Sequence, residues 1–361
     1  MNKVRVIAFY LPQYHPIPEN DKWWGKGFTE WTNVGKAKPL FKGHYQPKVP
    51  ADLGYYDLRV PETRIAQAEM ARSYGVEGFL YWHYWFGNGK RLLERPFSEV
   101  LASGEPDFPF CLGWANHNWH GIACGVKQKE ALIEQTYGGK KDYEQHFYDV
   151  LPAFMDKRYI MMDDKPLFYI HSPLASKETP EFIDTWQELA IKNGLGGICF
   201  VGNSANIEED INKVLSLCSY VNVDTLFEFK KHDFSLLDKI RFKIMREVFK
   251  DGNVYDYAKA MKYAYSNKVK KELYFPTILP NWDHTPRTGP VGNILSNSTP
   301  EAFFSHAKDI FTHIADKPLE KRVVFLKSWN EWAEGNYMEP DLKYGHGYLE
   351  ALKRAINEIF K

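Results

Sequence analysis

Eight short runs of apolar, β-branched and aromatic residues recur along the chain, at 4–10, 76–82, 108–114, 166–171, 198–203, 220–225, 273–279 and 323–329. Each is nearly continuous rather than alternating polar with apolar, which suits a parallel strand covered on both faces. Segments with apolar positions at helical spacing lie between them, at 62–74, 142–155, 180–192, 207–217, 300–314 and 347–360. The fifth of these opens on Ser298-Thr299-Pro300-Glu301, where a hydroxyl can cap the helix and proline can take an early helical position. Strand and helix in alternation predict an α/β fold, a (β/α)8 barrel occupying residues 1–361 as a single domain. A doubly wound open sheet is the competing arrangement. Two long insertions are expected, one after strand 1 from residue 13 to about 57, the other after strand 6 from 227 to about 267, the second carrying extra helices.

Composition narrows the function. Lys+Arg and Asp+Glu number 46 each, so the formal net charge is zero and the basic surplus of a nucleic-acid binder is missing. Hydrophobic residues at 44% and charged ones at 25% belong to an ordinary globular protein. No stretch approaches the roughly 18 apolar residues of a membrane span, and the N-terminus lacks the apolar core and cleavage site of a signal peptide. A cytoplasmic chain with no membrane span is expected. Cys111, Cys124, Cys199 and Cys218 show no C-x-x-C spacing and read as scattered thiols. There is no H-E-x-x-H, no phosphate loop, no dinucleotide fingerprint after strand 1 and no G-x-S-x-G. No cofactor and no metal are expected, although a metal site built across strand ends stays open.

In a barrel the chemistry sits at the C-terminal ends of the strands. Those positions hold Tyr10, Gln13 and His15 after strand 1, Trp82 and His83 at strand 2, and Trp114, Asn116 and His117 at strand 3. His171, Asn203 and Asp224 follow strands 4 to 6, then Asn281, Trp282 and Asp283, then Asn330 and Trp332 after strand 8. Planar polar groups suit sugar hydroxyls, and indole or phenol rings suit the C–H face of a pyranose. The aromatic content of 16% therefore reads chiefly as a sugar-stacking cleft and the partner as a carbohydrate. Glu331 and Glu334 are the sharpest feature. Two carboxylates three residues apart can divide the proton-donor and base roles of glycosidic cleavage. Trp329, Trp332 and Gly335 frame the pair as a cleft edge rather than a solvated face.

The segments Ala8-Phe9-Tyr10-Leu11-Pro12-Gln13-Tyr14-His15-Pro16, Gly27-Phe28-Thr29-Glu30-Trp31-Thr32-Asn33-Val34 and Gly78-Phe79-Leu80-Tyr81-Trp82-His83-Tyr84-Trp85 carry a resemblance. So do Trp114-Ala115-Asn116-His117 and Trp329-Asn330-Glu331-Trp332-Ala333-Glu334-Gly335 with Met338-Glu339-Pro340. Together they resemble the WbsX-like family, related to glycoside hydrolase family 99, the endo-α-mannosidases and endo-α-mannanases. The resemblance spans nearly the whole chain. It implies a barrel that cleaves α-mannosidic links with retention, one glutamate assisting the 2-hydroxyl in attacking C1 to give a 1,2-anhydro sugar. The other glutamate protonates the leaving oxygen and then activates water. Matched by position, Glu331 takes the first role and Glu334 the second. Ala333 departs from the hydrolase pattern, which commonly has His there, and the absent secretion signal fits surface-polysaccharide synthesis better than extracellular degradation.

Three readings follow. The first is a retaining glycoside hydrolase or transglycosidase. The second is a sugar-nucleotide glycosyltransferase, which lacks a D-x-D-like diphosphate motif and any basic clamp beyond residues such as Arg287. The third is a non-catalytic glycan-binding protein, which has no need of two mutually repelling carboxylates. Glu30 and Trp31 either close over the cleft or plug the core.

Overall fold

All eight apolar runs become strands of one barrel: β1 (Arg5–Tyr10), β2 (Gly78–Trp85), β3 (Phe110–Trp114), β4 (Lys165–Ile170), β5 (Cys199–Ala205), β6 (Tyr220–Asp224), β7 (Thr277–Ile278) and β8 (Val323–Leu326). The computed structural model describes residues 3–120, 131–205, 207–232, 237, 240, 243–244 and 252–360. Pairing is parallel throughout, β1 to β6 in chain order, with β8 on the free side of β1 and β7 beyond it. A parallel bridge between Val221 and Tyr274, with Phe275 N donating to Val221 O at 3.1 Å, joins β6 to the approach to β7 and closes the ring. That closure decides for the (β/α)8 barrel and against the open sheet.

A helix follows each strand: α1 (Pro61–Ser73), α2 (Arg95–Ser103), α3 (Gly139–Phe154), α4 (Thr179–Lys192), α5 (Glu208–Leu215), α6 (Tyr257–Met261), α7 (Pro300–Ile314) and α8 (Gly347–Ile359). Thr299 caps α7 by accepting from Ala302 N at 3.2 Å, with Pro300 in the first turn as the sequence indicates. The first insertion carries helices Pro18–Trp24 and Glu30–Lys36; the described part of the second contains Phe229–His232, a strand Asn253–Asp256 and α6. Cys111, Cys199 and Cys218 are buried free thiols, and Cys124 lies outside the described residues. No helix among the described residues is long and apolar enough to cross a membrane.

Successive strand side chains face opposite sides of the sheet. Inside the barrel, Phe9, Tyr169 and Phe325 meet with ring centroids 5.2 to 5.4 Å apart. Outside it, the next residues in register pack against helices: Phe168 lies 4.7 Å from Trp186 of α4, and Trp114 lies 4.7 Å from Phe182. Much of the aromatic surplus therefore builds a belt between sheet and helices, which corrects the expectation that it chiefly lines a cleft.

The belt encloses two histidines. His83 Nε2 and His146 Nε2 share a hydrogen bond of 2.8 Å, and the Trp85 ring stacks on His146 at 4.5 Å. Burial pushes His83 down to about 3 and His146 well below its ordinary value, so both rings are neutral. Unfolded histidines take up protons near 6.5, so this contribution to stability is complete above about pH 6.5 and drains as pH falls toward about 3. Each ring should cost about 1 kcal/mol per pH unit in that window. Denaturant midpoints at pH 7.5 and pH 5 measure it; equal midpoints would remove the two rings from the stability account.

Candidate active site

The segment after β8 is held rigidly before it reaches its two glutamates. Ser328 Oγ and Trp329 N both donate to Phe9 O at 2.8 Å, and Asn330 brackets Leu11, accepting from its N at 2.8 Å and donating to its O at 3.0 Å. Asn330–Glu331 then pairs antiparallel with Asn336–Tyr337 across a single 3-10 turn, Trp332–Glu334. Gly335 closes the turn at φ 62°, and a Cβ there would lie 2.4 Å from Lys48 Nζ and 2.8 Å from Asp283 Cβ. No other residue fits that left-handed, crowded position without strain.

Beneath the turn, Glu339 is buried, with no cation paired to it among the described residues. It accepts from Trp332 Nε1 at 2.6 Å, Gln67 Nε2 at 2.6 Å and Tyr56 OH at 2.8 Å. Burial pushes its carboxyl up to about 7, and these donors pull against that. Tyr14 OH donates to Asn330 O and accepts from Trp332 N at 3.2 Å. The indole of Trp332, stacked on Tyr337 at 3.8 Å, thus belongs to the scaffold of the turn.

Above it, Glu331 and Glu334 converge on one guanidinium. Arg287, on the short helix Thr285–Thr288 after β7, reaches Glu334 Oε1 through Nη1 and Glu331 Oε1 through Nη2, each at 2.5 Å. Its Nη2 also stands 3.2 Å from Glu30 Oε2, so carboxylates from the β1 and β8 loops meet on a cation from the β7 loop. Burial pushes the Glu331 carboxyl up to about 8; Arg287 pulls it down, while Glu334 and Glu30 push it up. Glu331 thus titrates as one member of a coupled group in which burial and like charge disfavour its ionised form.

These groups open on a cleft of about 480 Å³ at the C-terminal ends of the strands, with Trp82, Tyr84, Trp119 and Trp282 among its walls. Phe9 backs Trp82 with stacked rings 5.0 Å apart, and Gly113 makes room for Leu80 beside it, since a Cβ there would approach the Leu80 side chain to 2.4 Å.

The family described as glycosyltransferase WbsX matches residues 6–352. The chain belongs to that family. Curated relatives in two strains of Xanthomonas campestris pv. campestris, B100 and ATCC 33913, each described as uncharacterized protein WxcX, are 34% identical over 355 residues. The alignment covers 97% of this chain and 49% of the relative, so the chain spans about half the length of the curated relatives it matches. Among solved structures, one described as a glycoside hydrolase-like protein superposes with a TM-score of 0.63 at 16% identity, covering 98% of this chain and 94% of the other. The GH99 endo-alpha-mannosidase from Bacteroides thetaiotaomicron gives 0.57 at 14% identity, with 98% and 97% covered. At such identities the likeness is one of fold.

In this WbsX family chain, Gln13, Trp82, His117, Trp282, Glu331 and Glu334 stand on the cleft wall. The other expected contacts do not. Tyr10 turns outward, its OH donating to Gln67 Oε1 at 2.6 Å, and His83 and Trp114 turn outward into the belt, where Trp114 Nε1 donates to Trp85 O at 2.9 Å. The period of two places Trp82 and Tyr84 inside and Tyr81, His83 and Trp85 outside. Asn116 ties its loop to Ser172, accepting at 2.8 Å and donating at 2.9 Å. Asn281 accepts from Trp282 N at 2.8 Å, His15 is buried, and Asn330 and Trp332 support the turn as described.

Asp283 is also structural. It accepts from His44 Nε2 at 2.8 Å, Gln46 Nε2 at 2.7 Å and Thr285 Oγ1 at 2.6 Å. Against the cost of burial, the His44 hydrogen bond and the nearby Lys48 hold its carboxyl at about 2. Asp283→Ala should destabilise the fold by about 3 kcal/mol, because several buried donors lose their acceptor. Urea denaturation tests this, and a loss within 0.5 kcal/mol, the usual size for a surface change, would refute it. The sequence pointed to Arg287 only as a possible basic clamp for a nucleotide sugar and left Glu30 undecided. Tyr84 was recoverable, being two residues beyond Trp82 on the same face.

Proposed function

We propose that this WbsX family chain is a retaining glycoside hydrolase or transglycosidase acting on α-linked, mannose-like glycans in bacterial surface-polysaccharide metabolism. The observation that carries this reading is the convergence of Glu331 and Glu334 on Arg287 at the edge of an aromatic-walled cleft. Two carboxyl groups in one cleft can divide the acid and base roles of glycosidic cleavage.

In the proposed course, the Glu331 carboxylate takes the proton of the 2-hydroxyl as its oxygen attacks C1. Glu334 gives its proton to the departing glycosidic oxygen, leaving a 1,2-anhydro sugar. The Glu334 carboxylate then takes a proton from water, or from an acceptor hydroxyl, as that oxygen attacks C1. The C1–O2 bond breaks and O2 recovers its proton from Glu331. Two inversions at C1 give net retention, and the pair returns to its starting protonation. Arg287 holds both carboxyl groups on one fork, and Trp82 and Trp282 offer surfaces for sugar C–H faces.

The family description favours a second reading, transfer from a nucleotide sugar. Incubation with a synthetic α-mannosyl disaccharide, with and without a nucleotide sugar, separates the two. Reducing sugar released without nucleotide supports the glycosidase; consumption of nucleotide sugar alone supports the transferase; inertness toward both leaves glycan binding.

A further inference from the structure

A second cavity of about 60 Å³ adjoins the cleft, sharing the walls Phe9, Trp82, His171 and Lys327 with it. Neither the catalytic pair nor Arg287 touches it. At about 10–15 Å³ per water-sized group, it has room for roughly four to six heavy atoms. Tyr169, Leu226, Met261, Ala264 and Leu279 make the lining mainly apolar.

Two polar side chains stand on this wall, and one of them has a buried nitrogen without a partner among the described residues. Leu279 N donates to His306 Nε2 at 3.1 Å, and burial pushes the imidazole down to about 3, so the neutral ring carries its single proton on Nδ1. Among the described residues that buried Nδ1–H has no acceptor. Asn203, a half-buried residue of β5, lines the same cavity and places its amide on the wall. Asp224, 3.5 Å from Lys327 Nζ, adds an acceptor.

An occupant of four heavy atoms, with a carbonyl for a donor, an N–H for an acceptor and a methyl for the apolar wall, is an acetamido group. A hydroxyl leaves the apolar surface uncovered, and a lone methyl leaves His306 and Asn203 unmatched. We propose that this annex is a specificity site for an acetamido substituent on the glycan held in the cleft. This rests on the carbohydrate reading of the cleft, not on hydrolysis.

The test is calorimetric binding of methyl α-mannoside and of derivatives carrying one acetamido group at C2, C3, C4 or C6. At least one derivative should bind ten-fold or more tightly than the parent. Ala264→Leu, which fills the annex, should erase that gain and leave the parent's binding unchanged, and Asn203→Ala should reduce the gain several-fold. The inference is overturned if no derivative exceeds the parent, if the gain survives Ala264→Leu, or if both variants weaken parent and derivative alike. Because the readout is binding, a protein that prefers the acetamido sugar yet cleaves nothing sinks the glycosidase reading alone.

Discussion

Glu334→Gln is expected to slow cleavage of an unactivated α-mannosidic bond by about 10³-fold, within the 10²–10⁴ range of a positioned general acid. The amide keeps the shape of the side chain and a hydrogen bond to the pair's surroundings but cannot deliver a proton to the leaving oxygen. A substrate whose leaving group departs unprotonated, such as a dinitrophenyl glycoside, should lose at least ten-fold less in the first step. Glu331→Gln should slow both substrates to similar extents, because removing the 2-hydroxyl proton is needed whatever leaves. The measurement is kcat/KM for both substrates with both variants. Equal losses in Glu334→Gln, or an unchanged rate, would remove Glu334 from the acid role.

Arg287→Met should produce an effect of similar size by another route. It leaves Glu30, Glu331 and Glu334 facing one another without the cation they share. Breaking a buried pair by removing one partner costs about 3–5 kcal/mol, and thermal melting should show a loss of that order. With Arg287 gone, the influence that lowers the Glu331 carboxyl disappears while burial, Glu334 and Glu30, which raise it, remain. The ionised base then forms only at higher pH, so the acidic limb of the pH–rate profile should move up by about one unit or more, with activity at neutral pH falling at least ten-fold. A profile that keeps its limb while losing amplitude would make Arg287 a structural residue only.

The fold was legible because the chain alternates strand and helix signals with few interruptions. The run at 323–329 and the helix at 300–314 could be read directly, whereas of the helices that follow the strands α2 and α6 were not singled out, being only nine and five residues long. The carboxyl pair was legible because Trp329, Trp332 and Gly335 surround it, although both indoles prove to be buried supports. What misled was proximity along the strand. His83 and Trp114 sit at strand ends, yet alternation turns them toward helices, whereas Trp82 and Tyr84 share the inner face. Arg287 left no local trace. Its meaning arises only when loops after β1, β7 and β8 are brought together, 257 residues separating it from Glu30.

The turn bearing Glu331 and Glu334 takes its shape from β1, from the buried Glu339 and from Gly335, whereas the acetamido annex takes Met261 and Ala264 from the insertion between β6 and β7. The polar groups of the annex, Asn203, Asp224 and His306, come from the barrel itself, so the insertion sets the shape of its apolar wall rather than its hydrogen bonding. Exchanging the insertion between related chains would resize the annex while leaving the bond-breaking turn and its supports in place, and a chimera carrying a relative's insertion offers a route to changing the bulk of the substituent admitted.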